Sequence, residues 1–169
     1  MDVVCKIDAL FARRGGAGNP AGGVTALAHA LQCAQLAEWA HADNTLVAAA
    51  LLHDLGELVD GAADEGLHDD QHELRALGLL AVGGFGSTVL EPIRLHVQAE
   101  RCQMGRMNVV ERLVFLATPF APQAMQLARW DALARQPGRV VPPLGHYLNL
   151  LDDVLRAKCR PQRPMLAAS

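Results

Sequence analysis

The residues of this chain best suited to chemistry are its seven histidines, His29, His41, His53, His68, His72, His96 and His146, and the acids beside some of them. His53-Asp54 ends the run TLVAAALL, which is apolar nearly all round through Leu52. A helix without a polar face belongs at the centre of a domain. An ionised Asp at its end costs roughly several kcal/mol unless it is paired or ligates a metal. No Lys or Arg lies between Ala48 and Val59 to pair with it, so a metal ion is the simplest local partner. Adjacent helical residues point about 100° apart. That suits a histidine on one ion and a carboxylate reaching toward a second, with other helices supplying the remaining ligands. His29, His72, His96 and Asp131 are the candidates, each on a helical run of its own, as metal sites in helical bundles require.

The elements that must carry these residues all read as helices. Residues 3–13 form a short amphipathic run. Residues 24–41 place Leu27, Leu31, Cys33, Ala34 and Ala37 at helical spacing. Asp43 or Asn44 is the N-cap of the next run, which ends at His53-Asp54 with Gly56 as a C-cap candidate. Residues 69–82 open with acids where the helix dipole favours them. Pro92 is expected in the first turn of the helix that carries His96. Residues 108–118, 122–135 and 142–158 supply three more, the last with Leu144, Leu148, Leu151 and Leu155 on one face. No period-two strand pattern and no repeat is present. The expectation is one all-α domain over residues 1–169, a bundle of about seven to eight helices. Gly15–Gly23 is expected to be a flexible loop; its glycines match neither a Walker loop nor G-x-G-x-x-G. Residues 60–70 read as an acidic loop and 161–169 as a frayed tail.

Composition narrows the class. Hydrophobic residues make up 51% and charged ones 20%, with a net charge of −3. That excludes both the disorder signature and the basic footprint of a nucleic-acid binder. Aromatics are only 4%, so Leu, Ala and Val must fill the core. No apolar run reaches the roughly 18 residues of a membrane span, and no signal-peptide pattern opens the sequence. A cytoplasmic protein with no membrane or nucleic-acid partner is expected. Cys5, Cys33, Cys102 and Cys159 form no C-x-x-C pair and read as buried, reduced thiols. The N-terminal segment and the leucine face of the last helix can pack on the core or on a second copy in a homodimer.

The order H…HD…H…H…D resembles the HD-domain superfamily of metal-dependent phosphohydrolases and oxygenases. Within it, the chain is most similar to the mixed-valence diiron organophosphonate oxygenases, related to myo-inositol oxygenase. The likeness is carried by HALQCAQLAEWAHADNTLVAAALLHDLG (29–56), QHELRALGLL (71–80), EPIRLHVQAER (91–101) and ARWDALAR (128–135). It implies an HD-domain helical bundle with His29, His53, Asp54 and Asp131 on one iron. His72, His96 and a bridging Asp54 would hold the other. His68 competes with His72, but only His72 is followed by the E-x-x-A-x-x-L spacing of the family. The implied cofactor is a pair of iron ions, Fe(II)/Fe(III), although such donors suit Mn or another divalent metal equally. The implied partners are O2 and a small hydroxylated substrate, which undergoes oxidative C–P or C–C cleavage.

Departures from the family cluster around the substrate. Asn19 and Gly22 stand where it has a tyrosine and a glutamate, Glu57 where it has a histidine, Glu100 where a lysine meets the phosphonate, and Ala128 where it has an arginine. The stretch between Gln103 and Asn108 is shortened. Two cations are thus lost and one acid gained where a dianion would bind; Arg101 and Arg106 are candidate replacements. Glu57, three residues after Asp54, also matches the spacing of a water-activating carboxylate in some HD-domain nucleotidases. A phosphohydrolase acting through Asp54 and Glu57 on a phosphomonoester or nucleotide is therefore the rival expectation, and a non-catalytic metal-bound protein the third.

Overall fold

The computed structural model of the chain describes residues 2–16, 23–60 and 70–159, apart from the side chains of residues 60, 70–75 and 159. Among the described residues every element is a helix: α1 (Val3–Arg14), α2 (Ala26–Trp39), α3 (Asn44–Leu52), α4 (Leu55–Asp60), α5 (Asp70–Val82), α6 (Ser87–Gln103), α7 (Val109–Leu116), α8 (Ala121–Leu133) and α9 (Leu144–Cys159). The all-α expectation holds, with one helix more than the upper count. The extra one arises because the chain turns at His53-Asp54 and resumes as α4. Gly56 therefore lies inside α4, and His53 itself is the C-cap of α3, at φ −59° and ψ −38°. The turn passes through right-handed backbone and needs no glycine. Pro92 also differs from expectation: α6 starts at Ser87, so the proline sits inside the helix. The added N-terminal turn buries Val89 completely, which offsets the one hydrogen bond a proline removes.

The centre of the bundle is α3, whose seven residues Leu46–Leu52 are all buried. It packs against α2, α6, α8 and α9. Ala48, Ala49 and Ala50 are fully buried, and their small size lets those neighbours come close. A second apolar cluster joins α6 to α8 through Leu95, Ala99, Ala124 and Ala128, with Phe115 of α7 beneath. Alanine against alanine brings these two helices together side by side. Leu151 is buried and Leu144, Leu148 and Leu155 pack against the same core, so the leucine face of α9 is spent within the chain. So is α1, which turns Val3, Val4, Ile7 and Phe11 inward. Arg14 at its end donates to the carbonyls of Leu58 and Val59 at 2.8 and 2.9 Å and holds the end of α4.

Asp43 is the N-cap of α3, accepting hydrogen bonds from the amides of Thr45 and Leu46. Burial alone would raise its pKa, but the Thr45 hydroxyl and these amides hold it below the ordinary carboxylate value. Asp43→Ala is expected to cost about 1 kcal/mol, a fall of about 2–4 °C in Tm for a chain of this size. Because the folded-state pKa is depressed, the wild-type advantage is complete above the unfolded carboxylate pKa. It disappears as pH drops through the folded one. Thermal melts of both proteins at neutral and strongly acidic pH check this.

Cys33 and Cys102 are buried and free, but Cys5 is exposed. The expectation of buried thiols fails there because Cys5 falls on the face of α1 opposite Val3 and Ile7. The side chain of Cys159, most of the Gly15–Gly23 loop, residues 61–69 of the acidic loop, and the tail from residue 160 lie outside the described residues. No helix among the described residues is long and apolar enough to cross a membrane.

Candidate metal centre

Three helices and one turn aim polar groups at a shared point beside α3. His29 comes from α2, His53 and Asp54 from the turn after α3, His96 from α6 and Asp131 from α8. The position of Asp131 relative to His29 is set by a clamp between α2 and the chain leaving α8. The buried Gln32 amide donates to the Gln136 carbonyl at 2.9 Å and accepts from the Gln136 amide at 3.1 Å. One turn further along α2, the Gln35 amide donates to the Val140 carbonyl at 3.2 Å. His29 adds to the clamp through its Nδ1, 2.8 Å from the carbonyl of Ala134, the C-cap of α8. A helix leaves its last carbonyls without intrahelical partners, and this imidazole satisfies one of them.

The other two rings are held in the same way. His53 Nδ1 lies 2.9 Å from the Ala50 carbonyl and His96 Nδ1 3.0 Å from the Ile93 carbonyl. A carbonyl can only accept, so Nδ1 carries the proton in each ring. Such a bond fixes the tautomer and presents Nε2 as the free donor of an electron pair. The rings sit 5.3 Å apart for His29 and His53, and 5.4 Å apart for His53 and His96. His29 Nε2 lies 3.0 Å from Asp131 Oδ1 and 3.4 Å from Asp54 Oδ2. His53 Nε2 lies 3.2 Å from Asp54 Oδ2 and 3.8 Å from Asp131 Oδ1. His53 Nε2 is fully buried and has no hydrogen-bond partner. Imidazole lone pairs facing carboxylate oxygens at these distances repel unless a cation stands between them. A buried nitrogen without a partner is costly by itself. A metal ion resolves both.

Two overlapping ligand groups emerge among the described residues. His29, Cys33, His53 and Asp131 place ligand atoms within 4.8 Å of one another, and so do His96, Glu100 and Asp131. Asp131 belongs to both. No family model matches the chain. Hydroxymethylphosphonate dioxygenase of Gimesia maris is 38% identical over 158 residues, an alignment that covers 78% of this chain and 78% of that protein. The chain belongs to this dioxygenase's family. An uncharacterised protein of Acanthamoeba polyphaga mimivirus is 26% identical over 172 residues, covering 86% of this chain and 78% of its own length.

As a member of the dioxygenase family, the chain has a metal-ready centre whose charges are strongly coupled. The positive charge falls on two of the imidazoles and the negative charge on the two carboxylates. Burial disfavours the His29 imidazolium, but the Asp131 and Asp54 carboxylates outweigh it and push its pKa up to about 12. Burial likewise opposes a charge on His53, and Asp54 reverses that. Asp54 would be raised by burial, yet the His53 charge and the His29 hydrogen bond hold it far below the carboxylate range. His29 and His53 do the same for Asp131. His96 is pushed down, first by burial and then by the charge on His53. Metal uptake therefore displaces protons from the imidazoles.

The sequence-derived candidates fall as follows. His29, His53, Asp54, His96 and Asp131 meet at the centre. Because α3 ends at Leu52, the 100° separation expected of a helical His-Asp pair does not apply. Both side chains reach the same point from a turn. His72 is the third residue of α5, and its side chain lies outside the described residues, as does all of His68. Glu57 is exposed in the first turn of α4 and belongs to neither ligand group. His41 and His146 are exposed; His146 Nε2 lies 2.7 Å from Glu38 Oε1 on the outer side of α2.

Sequence reasoning missed three groups. Cys33 was placed among the structural thiols, yet its Sγ lies 3.7 Å from His29 Nε2. The signal was the four-residue step from His29, which puts both on one helix face. Glu100 reads in the sequence as a lost lysine, although it stands at the same step from His96. Arg135 had no visible role; its Nη2 lies 3.2 Å from Asp131 Oδ1 with half of its side chain exposed.

Proposed function

We propose that this protein is an HD-type dinuclear iron oxygenase that oxidatively cleaves a small α-hydroxylated substrate of the phosphonate class, in the cytoplasm and with O2 as co-substrate. The observation that carries the reading is the buried, unpartnered His53 Nε2 aimed among two carboxylates and two further imidazoles, in a chain of the dioxygenase family. His29, His53, Asp54 and Asp131 would hold one ion; His96, Asp131, Asp54 and His72 are the residues for the second. When bound, the metal pair supplies redox chemistry toward O2 and a Lewis-acidic anchor for the substrate hydroxyl. The chain's own contributions are fixed ring tautomers, a dry apolar wall from α3, and charge. Asp54, with about a third of its side chain exposed, lies at the open side of the centre. The Arg135 guanidinium at its rim offers a cation to an anionic substrate, in place of the lysine and arginine this sequence lacks.

For hydroxymethylphosphonate the balance is simple. One O2 enters, the C–P bond breaks, and formate and phosphate leave with both oxygen atoms. The carbon gives up four electrons and O2 takes them, so no outside reductant is consumed. Protein purified anaerobically with iron and ascorbate is expected to release phosphate from this substrate in a one-to-one ratio with O2 consumed, and none under argon. Phosphate release from a phosphomonoester without O2 would instead establish the hydrolase reading. That reading needs Glu57 over the metal, and exposure of this residue on α4 disfavours it.

A further inference from the structure

The carboxylate of Glu100 faces into the centre. His96 and Glu100 are one turn apart on α6, so they leave the helix on one face. Across the alanine-lined contact between α6 and α8, this pair meets Asp131, and the ligand atoms of all three lie within 4.8 Å of one another. His96 presents Nε2 because its Nδ1 is tied to the Ile93 carbonyl. Asp131 also joins this trio to the neighbouring group: the His53 side chain, fully buried with Nε2 unpartnered, lies 3.8 Å from Asp131 Oδ1, and its ring is 5.4 Å from that of His96. Two carboxylates in contact require a proton or a metal cation between them.

We propose that Glu100 is a metal ligand, holding the second ion of the centre together with His96 and Asp131. This rests on the dinuclear reading above and adds to it a donor that faces the ion rather than the substrate. It also removes a difficulty raised by the sequence, where an acid replaces a substrate-contacting cation. Two divalent ions carry four positive charges against the three carboxylates Asp54, Glu100 and Asp131. The centre therefore stays cationic and still attracts an anionic substrate.

The test counts Mn(II) bound to the metal-stripped full-length chain, using the electron paramagnetic resonance signal of the free ion. The wild type is expected to bind two. Glu100→Ala and Glu100→Gln are both expected to bind one ion normally and the second at least about 100-fold more weakly, beyond the 10–100-fold that loss of a supporting partner costs. Glu100→His, which returns a ligand, is expected to restore the second site. Glutamine separates the two roles, since its amide can still donate to Asp131 as a protonated Glu100 would. A Glu100→Gln protein that binds two ions with wild-type affinity overturns the assignment and makes Glu100 a hydrogen-bonding support. A wild type that binds a single ion overturns the dinuclear reading and Glu100's ligand role with it.

Discussion

Asp131→Ala is expected to leave the purified protein without bound iron and to lower O2-dependent turnover by on the order of 10³-fold, while the helical fold survives. Asp131 is 4% exposed and is the one residue common to both ligand groups. Its Oδ1 lies 3.0 Å from His29 Nε2 and 3.8 Å from His53 Nε2, so one substitution removes the donor that faces both rings. Stabilisation of transition-state charge by a bound metal amounts to several kcal/mol, which corresponds to on the order of 10³-fold in rate. The fold survives because the residue that loses a partner on the rim, Arg135, is half exposed and returns to water. Elemental analysis, circular dichroism and oxygen uptake measure the three parts of this outcome separately. A variant that kept its iron would remove Asp131 from the centre.

Metal loading is expected to raise Tm by about 8–16 °C. Saturation at a thousandfold excess over Kd adds about 4 kcal/mol, and a chain of this length gains about 2–4 °C per kcal/mol. The contrast with His53→Leu isolates the cause. That substitution removes an imidazole whose positive charge Asp54 favours and whose Nδ1 donates to the Ala50 carbonyl. Truncating one member of a buried charge pair leaves the other uncompensated, so the metal-free variant is expected to melt below the metal-free wild type and to gain little from added iron. Loss of the metal-induced shift identifies His53 as a ligand of the ion. A His53→Leu protein that gained the full shift would contradict this. Scanning calorimetry on both proteins, with and without iron under argon, supplies all four melting temperatures.

The parts of the molecule legible in the sequence were those with a local physical signature. An apolar helix ending in His53-Asp54 announces a buried charge, because nothing within a turn can neutralise it. The Asp43 cap and the leucine face of α9 were readable for the same reason. Other features depend on where the chain turns. A six-residue helix such as α4 has too little periodicity to separate it from α3, and the helix before Pro92 is favoured by burial of Val89 rather than by propensity. The contributions of Gln32, Ala134 and Arg135 could not be read at all. They arise from contacts more than a hundred residues apart for the α2 clamp, or from a helix end whose position only packing decides. Glu100 and Cys33 were within reach of the sequence, since each lies four residues from a histidine on the same helix.

Three imidazole rings fastened to the main chain leave the cage little freedom to reshape around one particular element. Nitrogen and oxygen donors in such a cage rank the first-row divalent metals by the Irving–Williams order, in which copper and zinc outrank iron. For the iron centre proposed above, choosing iron would then be the task of cellular metal supply rather than of the polypeptide. On that reading, protein produced in a host without surplus iron is expected to emerge mismetallated, correctly folded and catalytically inert.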